Sequence, residues 1–325
     1  MDITRRHLWM ALGGALPLSC LVAARKRYSS VPFLITVDVH KRPNLYDEIN
    51  RCLDRLAESS LQVTFLVVAN LTGDIQIRRV LRRIITEGHQ VGCHGLTHEG
   101  DEDYYTNPVA VQEKNLACAK QLLEQALGTS VGTFRAPAFR ISHETLQVLD
   151  SLGYVADLSV CSERLPLLSS QIGNYQWMCS PRTPYHPRQN NPYERGALAL
   201  LEIPTSAALV PLMSSVNSVS VLLNEIVTNI LKYEASIIRK PIVYQCHPED
   251  FILYEQHQQH FHFAWRSLLP SDRYGIPLRW ALQETDGRVL FQRNQQFLAF
   301  LRNTQTFQFM TVDGYIMVHG KTLGG

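Results

Sequence analysis

The chain has 325 residues, 45% of them hydrophobic and 18% charged, which suits a soluble globular protein with ample material for a core. Its net charge of +2 gives no electrostatic case for nucleic-acid binding, which wants a concentrated basic face. No charge run, low-complexity tract or internal repeat follows about residue 30.

The first 27 residues, MDITRRHLWMALGGALPLSCLVAARKR, differ in kind from the rest. A basic start, an apolar stretch from Leu8 to Ala24 and small residues at Val22 and Ala24 make the tripartite layout of an export signal, with cleavage expected after Ala24. Thr4-Arg5-Arg6-His7-Leu8 also resembles a twin-arginine signal. Gly13, Gly14 and Pro17 make the stretch marginal as a spanning helix. An uncleaved membrane anchor is the alternative, and Ser19-Cys20 leaves a lipoprotein site open. Each version places the body, residues 31–325, outside the cytoplasm in the periplasm or cell envelope. The body's six cysteines contain no CxxC pair, which excludes a zinc ribbon or thioredoxin motif. Buried free thiols are expected.

Strands and helices then alternate. FLITVDV (33–39) is a short β-rich run, and LYDEINRCLDRLAESS (45–60) carries Leu45, Ile49, Leu53 and Leu56 at helical spacing. VTFLVVA (63–69) reads as a strand, and IQIRRVLRRIITEG (75–88) as a helix closed by Gly88. QVGCHG (90–95) is a third strand, followed by a helix over 107–128. VGTFRAP opens the next unit, and Ser142 caps a helix over 142–153. Residues 180–196 read as a long loop, 198–206 and 240–251 as later strands, and 219–238 as the helix between them. Residues 252–290 are irregular, and 293–304 form a late helix. The β-α order implies an α/β fold with a parallel sheet, open or rolled into a barrel, in a single domain. Functional side chains of such sheets collect at the carboxyl ends of the strands. Asp38, His40, His94, Arg135 and His247 all fall there.

Each of these residues has a bland reading: a turn cap, a solvated histidine pair, a surface guanidinium. Together they give, in order, D-x-H, H-x-x-x-H, R-x-P-x-F, G-Y-x-x-D and H-P-E. In this order the sequence resembles the polysaccharide deacetylase family (NodB-homology domain, carbohydrate esterase family 4). ITVDVH, HGLTH, FRAPAF, GYVADLSV and YQCHPEDF are similar to the family's five motifs, and LEIPTS to a segment between the fourth and fifth. The resemblance runs from Phe33 to His247 and weakly to Tyr315.

It implies a distorted (β/α) barrel and hydrolysis of an N-acyl, expected to be N-acetyl, group on an amino sugar of a polysaccharide or glycoconjugate. It implies Asp38 as general base, Arg135 as the holder of its carboxylate and His247 as general acid. His94 and His98 become metal ligands, and Asp157 a residue that orients or tunes His247. Where the family carries a carboxylate this chain has His40, which leaves two readings open. Either a third imidazole binds the metal, Zn²⁺ or another divalent transition metal, or His40 turns away and the site is degraded. Tyr104, Tyr105 and Trp177 are candidates to stack on sugar rings, with a core role equally open. The alternatives are a deformylase or deacetylase of a lipid-linked sugar, with 261–280 resting on a membrane or packed as a hairpin, and a non-catalytic carbohydrate-binding relative. A phosphoesterase is disfavoured for want of carboxylates. The expected partner is a carbohydrate, with no nucleic acid and with membrane proximity through the N-terminus.

Overall fold

The strand expected at 33–39 runs from Val31 to Val39 as β1 and is buried along almost its whole length, as a strand covered on both faces must be. This computed structural model describes residues 30–166, 175–253 and 286–320; the export segment 1–27 and the aromatic segment 261–280 lie outside the described residues. β2 (Thr64–Val67), β3 (Gln90–Cys93), β4 (Thr133–Phe134) and β5 (Ala156–Asp157) follow, each parallel to the one before. The helices between them are α1 (Leu45–Ser59), α2 (Ile75–Thr86), α3 (Val109–Leu127) and α4 (His143–Ser151). Leu45, Ile49, Leu53 and Leu56 of α1 are all buried, as their spacing requires. Ser142 caps α4 through a reciprocal pair with Thr145.

Later elements depart from the sequence reading. Residues 180–196 contain a hairpin, β6 (Pro187–Arg188) and β7 (Asn191–Arg195), turning through Gln189-Asn190 without a glycine to announce it. The strand expected over 198–206 shrinks to β8 (Leu201–Glu202), because the chain then leaves to form the small ladder of β9 (Ala207–Ala208) and β10 (Val210–Pro211). Next come the short α5 (Ser214–Asn217), α6 (Val221–Ile238) and β11 (Ile242–Cys246). α7 starts at Gly287, six residues before the expected helix, because the Asp286 carboxylate accepts from Arg288 N at 2.8 Å and caps it. β12 (Phe307–Phe309) and α8 (Val312–His319) complete the described chain.

The sheet runs β11-β1-β2-β3-β4-β5-β8, with β12 added beside β1, and its helices cover it as a distorted, curled (β/α) barrel. No ladder joins β8 to β11. Ser206 spans that seam instead, its N–H donating to Val243 O at 3.2 Å while its hydroxyl accepts from Val243 N at 2.9 Å.

Side chains alternate across each strand, so residues two apart share a face. Leu34, Ala156, Leu158, Leu201, Ile203 and Val243 form an apolar layer closed by Met310, Val312 and Tyr315 of the C-terminal elements. On β1 the same face continues through Thr36 to Asp38. Above the apolar floor the interior is therefore polar. Among the described residues no helix is long and apolar enough to cross a membrane. Cys52, Cys93, Cys118, Cys161, Cys179 and Cys246 carry free thiols, four of them buried, as expected.

Gly92 lets the interior close at its middle layer. A Cβ there would stand 2.7 Å from Leu66 Cδ2 and 2.8 Å from the Thr133 carbonyl. Gly92→Ala is therefore expected to destabilise the protein by about 1–3 kcal/mol, as overpacking does. Urea titration checks this, with a lower midpoint at unchanged slope as the expected result.

Candidate active site

Asp38 lies at the carboxyl end of β1, only 3% exposed, and Arg135, just past β4, is wholly buried. A guanidinium taken out of water needs partners for its donors. Arg135 Nη1 donates to Asp38 Oδ1 and to Thr36 Oγ1, each at 2.8 Å. Its Nη2 donates to Thr205 Oγ1 at 3.1 Å and its Nε to the Leu158 carbonyl at 3.2 Å. The second Asp38 oxygen accepts from Gln245 Nε2 at 3.0 Å. Burial alone would raise the Asp38 pKa, but Arg135, with His94 and His247 nearby, outweighs it and holds the pKa below the usual carboxylate value. The carboxylate stays ionised.

Four histidines surround it. His40 lies 5.1 Å from His98 and 5.4 Å from His247, ring centroid to centroid, and His94 lies 5.2 Å from His98. His94 Nδ1 is 2.9 Å from the Arg135 carbonyl, which can only accept, so Nδ1 carries the proton and Nε2 keeps its lone pair. Burial brings the His94 pKa down to about 3 and that of His40 to about 4, which keeps both rings neutral. Neutral imidazole is the metal-binding form. Among the described residues no three His, Cys, Asp or Glu side chains are gathered tightly enough to grip an ion as placed. The donor chemistry nonetheless fits a borderline divalent ion: His40, His94 and His98 neighbour one another and one already has its tautomer fixed. The His40 ring lies beside those of His98 and His247.

Three contributors are not among the expected site residues, although Gln245 and Asp250 lie within YQCHPEDF. Gln245 stands two residues before His247 on the same face of β11, and its amide donates to Asp38 and also meets His247 Nε2 at 3.2 Å. Glu102 is buried and accepts from the backbone N–H of Leu96 at 2.6 Å, of Thr97 at 2.7 Å and of His98 at 2.6 Å, and from the Tyr104 hydroxyl. Burial pushes its pKa up, but Tyr104 and those N–H groups overcome this and lower it. The carboxylate thus pins the loop that presents His98, whose backbone sits in the left-handed region at φ 59°. Asp250 is the acid beside His247, accepting from its backbone N–H at 2.7 Å and lying 3.9 Å from Nδ1.

Asp157 takes different partners from those expected. It alternates with Ala156 and Leu158, which face the interior, so its carboxyl points to the other face of the sheet. There it accepts from Ser159 Oγ at 2.6 Å and sits in register opposite Glu202. Asp157 Oδ2 and Glu202 Oε2 have no donor in reach, and burial raises the pKa of both acids. Tyr104 and Trp177 are buried, which removes them as sugar platforms, while Tyr105 stays exposed under Arg140.

The family model described as Polysaccharide deacetylase matches residues 30–156, a span that holds Asp38, His40, His94, His98 and Arg135. No curated protein matches the sequence. Among solved structures, a Mycobacterium smegmatis protein classed as a polysaccharide deacetylase is 15% identical, with 92% of this chain and 93% of that one covered at a TM-score of 0.55. An allantoinase is 13% identical, with 90% of each chain covered at a TM-score of 0.56. At these identities both speak for the fold.

Glu102→Ala strands three backbone donors, at about 1–3 kcal/mol for each that water does not reach. A loss of roughly 2–4 kcal/mol in unfolding free energy is expected. The ring resonances of His98 should broaden or shift in the variant's NMR spectrum while those of His247 stay in place.

Proposed function

We propose that this chain, which carries polysaccharide deacetylase family sequence over residues 30–156, is a metal-dependent hydrolase that removes an N-acyl group from an amino sugar of a glycan. The observation that carries the reading is an ionised, buried Asp38 held between Arg135 and Gln245, with His40, His94 and His98 on one side and His247 on the other. His40, His94 and His98 would hold the metal. When bound, a divalent ion supplies Lewis-acid polarisation and a more acidic water.

The remaining chemistry belongs to the chain. Asp38 takes the proton from water as its oxygen attacks the acyl carbon. Arg135 keeps Asp38 charged before that transfer and oriented through it. As the C–N bond breaks, His247, carrying a proton in the working form, delivers it to the departing nitrogen, because an unprotonated amide nitrogen is a poor leaving group. Gln245 touches both Asp38 and His247 and so sets the distance between base and acid. Asp250 anchors His247 through its backbone N–H.

Export across a membrane is part of the same proposal, supported by the signal-like residues 1–27. Intact-mass analysis of an envelope fraction is expected to find a chain lacking about the first 24 residues. Full-length protein there would favour the anchor, and protein confined to cytosol would exclude both.

Asp38→Asn preserves shape but cannot accept a proton. It is expected to bind zinc and lose roughly 10² to 10⁴ of turnover. The joint His94→Ala, His98→Ala variant should lose zinc altogether, and His40→Ala should bind it more weakly. Metal content with acetate and formate release from N-acylated glycans measures all three. Zinc retained in the double variant would move the metal elsewhere, and no release of either acid by zinc-loaded protein would leave a non-catalytic binding protein.

A further inference from the structure

Helix α6 is apolar on two opposite faces. Val227, Leu231 and Ala235 are buried on the side that meets the sheet. On the other side Leu222, Ile226, Ile230 and Tyr233 are 42–60% exposed. Their spacing of four, four and three residues puts them on one stripe of the helix. At 1.5 Å per residue the stripe is about 16 Å long. Single exposed apolar residues need no explanation, but a contiguous row of them marks an interaction face.

Polar residues on the same helix say what covers it. Asn229 is exposed within the stripe and makes no hydrogen bond with the rest of the described chain. A bilayer or a wholly apolar cover would leave that amide unpaired, which is unfavourable. A second Asn amide would satisfy it, as a lone Asn does between paired helices, where it also fixes register. Glu225 and Lys232 border one edge of the stripe. Seven residues apart, they stand within about 20° of each other around the helix. Lys232 has no ion-pair partner among the described residues, and Glu225 meets the Gln296 amide of α7 at 3.4 Å.

The midpoint between Glu225 and Lys232 falls between Thr228 and Asn229. A two-fold axis there, relating two antiparallel copies of α6, would answer each group at once. Glu225 of one copy would face Lys232 of the other, Ile226 would oppose Ile230, and Leu222 would pack on Tyr233. Asn229 would lie beside its own copy. Such self-complementarity is what a two-fold interface requires. A face built for a bilayer carries a basic border instead, and here acid and base balance.

We infer that α6 is a homodimer interface, in which two copies of this chain pack antiparallel across a two-fold axis beside Asn229. The stripe points away from the sheet, so the pairing leaves the candidate active site open. It does not depend on the hydrolase reading. One helix per copy makes a small contact, at or below about 1,200 Å² in total, so association depends on concentration.

Sedimentation velocity of the full chain from about 1 to 100 μM covers the affinities expected of so small an interface. The dimer fraction should rise across that range. Ile230→Glu, at a position exposed in the single copy, should leave only monomer. Glu225→Lys should weaken the dimer on the order of tenfold by facing two lysines. The joint Glu225→Lys, Lys232→Glu variant should restore the parent's affinity, which a merely damaged fold would not do. Under mild oxidation Asn229→Cys should cross-link the dimer beyond the parent's level. Leu222→Cys should not, because its two copies would lie about 20 Å apart, beyond disulfide reach. Monomer at every concentration overturns the interface, and so does a dimer that Ile230→Glu and Glu225→Lys leave intact. Equal cross-linking through Leu222→Cys overturns the antiparallel pairing. A monomer that binds phosphatidylglycerol vesicles, and loses them in Ile230→Glu, gives the stripe to a bilayer and overturns the dimer.

Discussion

The contact between Asp38 and Arg135 organises the interior. Neither group could be buried alone, since a lone charge there would have to be neutralised or pay a desolvation cost of several kcal/mol. As a pair, with Thr36, Thr205, Leu158 O and Gln245 taking up the remaining donors and acceptors, they link β1, β4, β5, the turn after β8 and β11. The strands β4, β5 and β8 are only two residues long. Their backbone ladders are too short to hold the mouth of the barrel in register, so a polar network does so. The same network keeps Asp38 charged, which makes the structural and chemical requirements one requirement.

Strand parity decides which residues can join that network. β1 offers Leu34 to the apolar floor, Thr36 and Asp38 to the polar layer and His40 to the mouth, two residues at a time. β11 does the same with Val243, Gln245 and His247. Asp157 falls on the odd count of β5 and pairs with Glu202 behind the sheet. Its place in a D-containing motif said nothing about which face it would take. Gly92, on the interior count of β3, leaves the space into which Leu66 and Thr133 close.

The histidine loop shows a second kind of dependence. HGLTH supplies two imidazoles, but the left-handed backbone at His98 has a cost for any side chain with a Cβ. Glu102 offsets that cost with three backbone bonds. The loop is in turn tied to the turn after β2 by two backbone hydrogen bonds, from Ala69 N–H to Gly95 O and from Asn70 N–H to Leu96 O.

The sequence by itself determined the alternation of strands and helices, the parallel sheet, the buried faces of α1 and α2, and the residues Asp38, His40, His94, Arg135 and His247. These are local matters of periodicity, caps and motif spacing, each read from a few neighbouring residues. The tertiary structure alone decided the rest. Gln245 and Glu102 matter only because of atoms 207 residues away in one case and a loop turned back on itself in the other. The two-residue strands β5 and β8 were too short to show a period of two, so the outward direction of Asp157 could not be read from the chain. The hairpin at 187–195 lacked a glycine turn, and the start of α7 depended on a cap rather than on its apolar stripe. What long-range pairing settles, a linear pattern cannot carry.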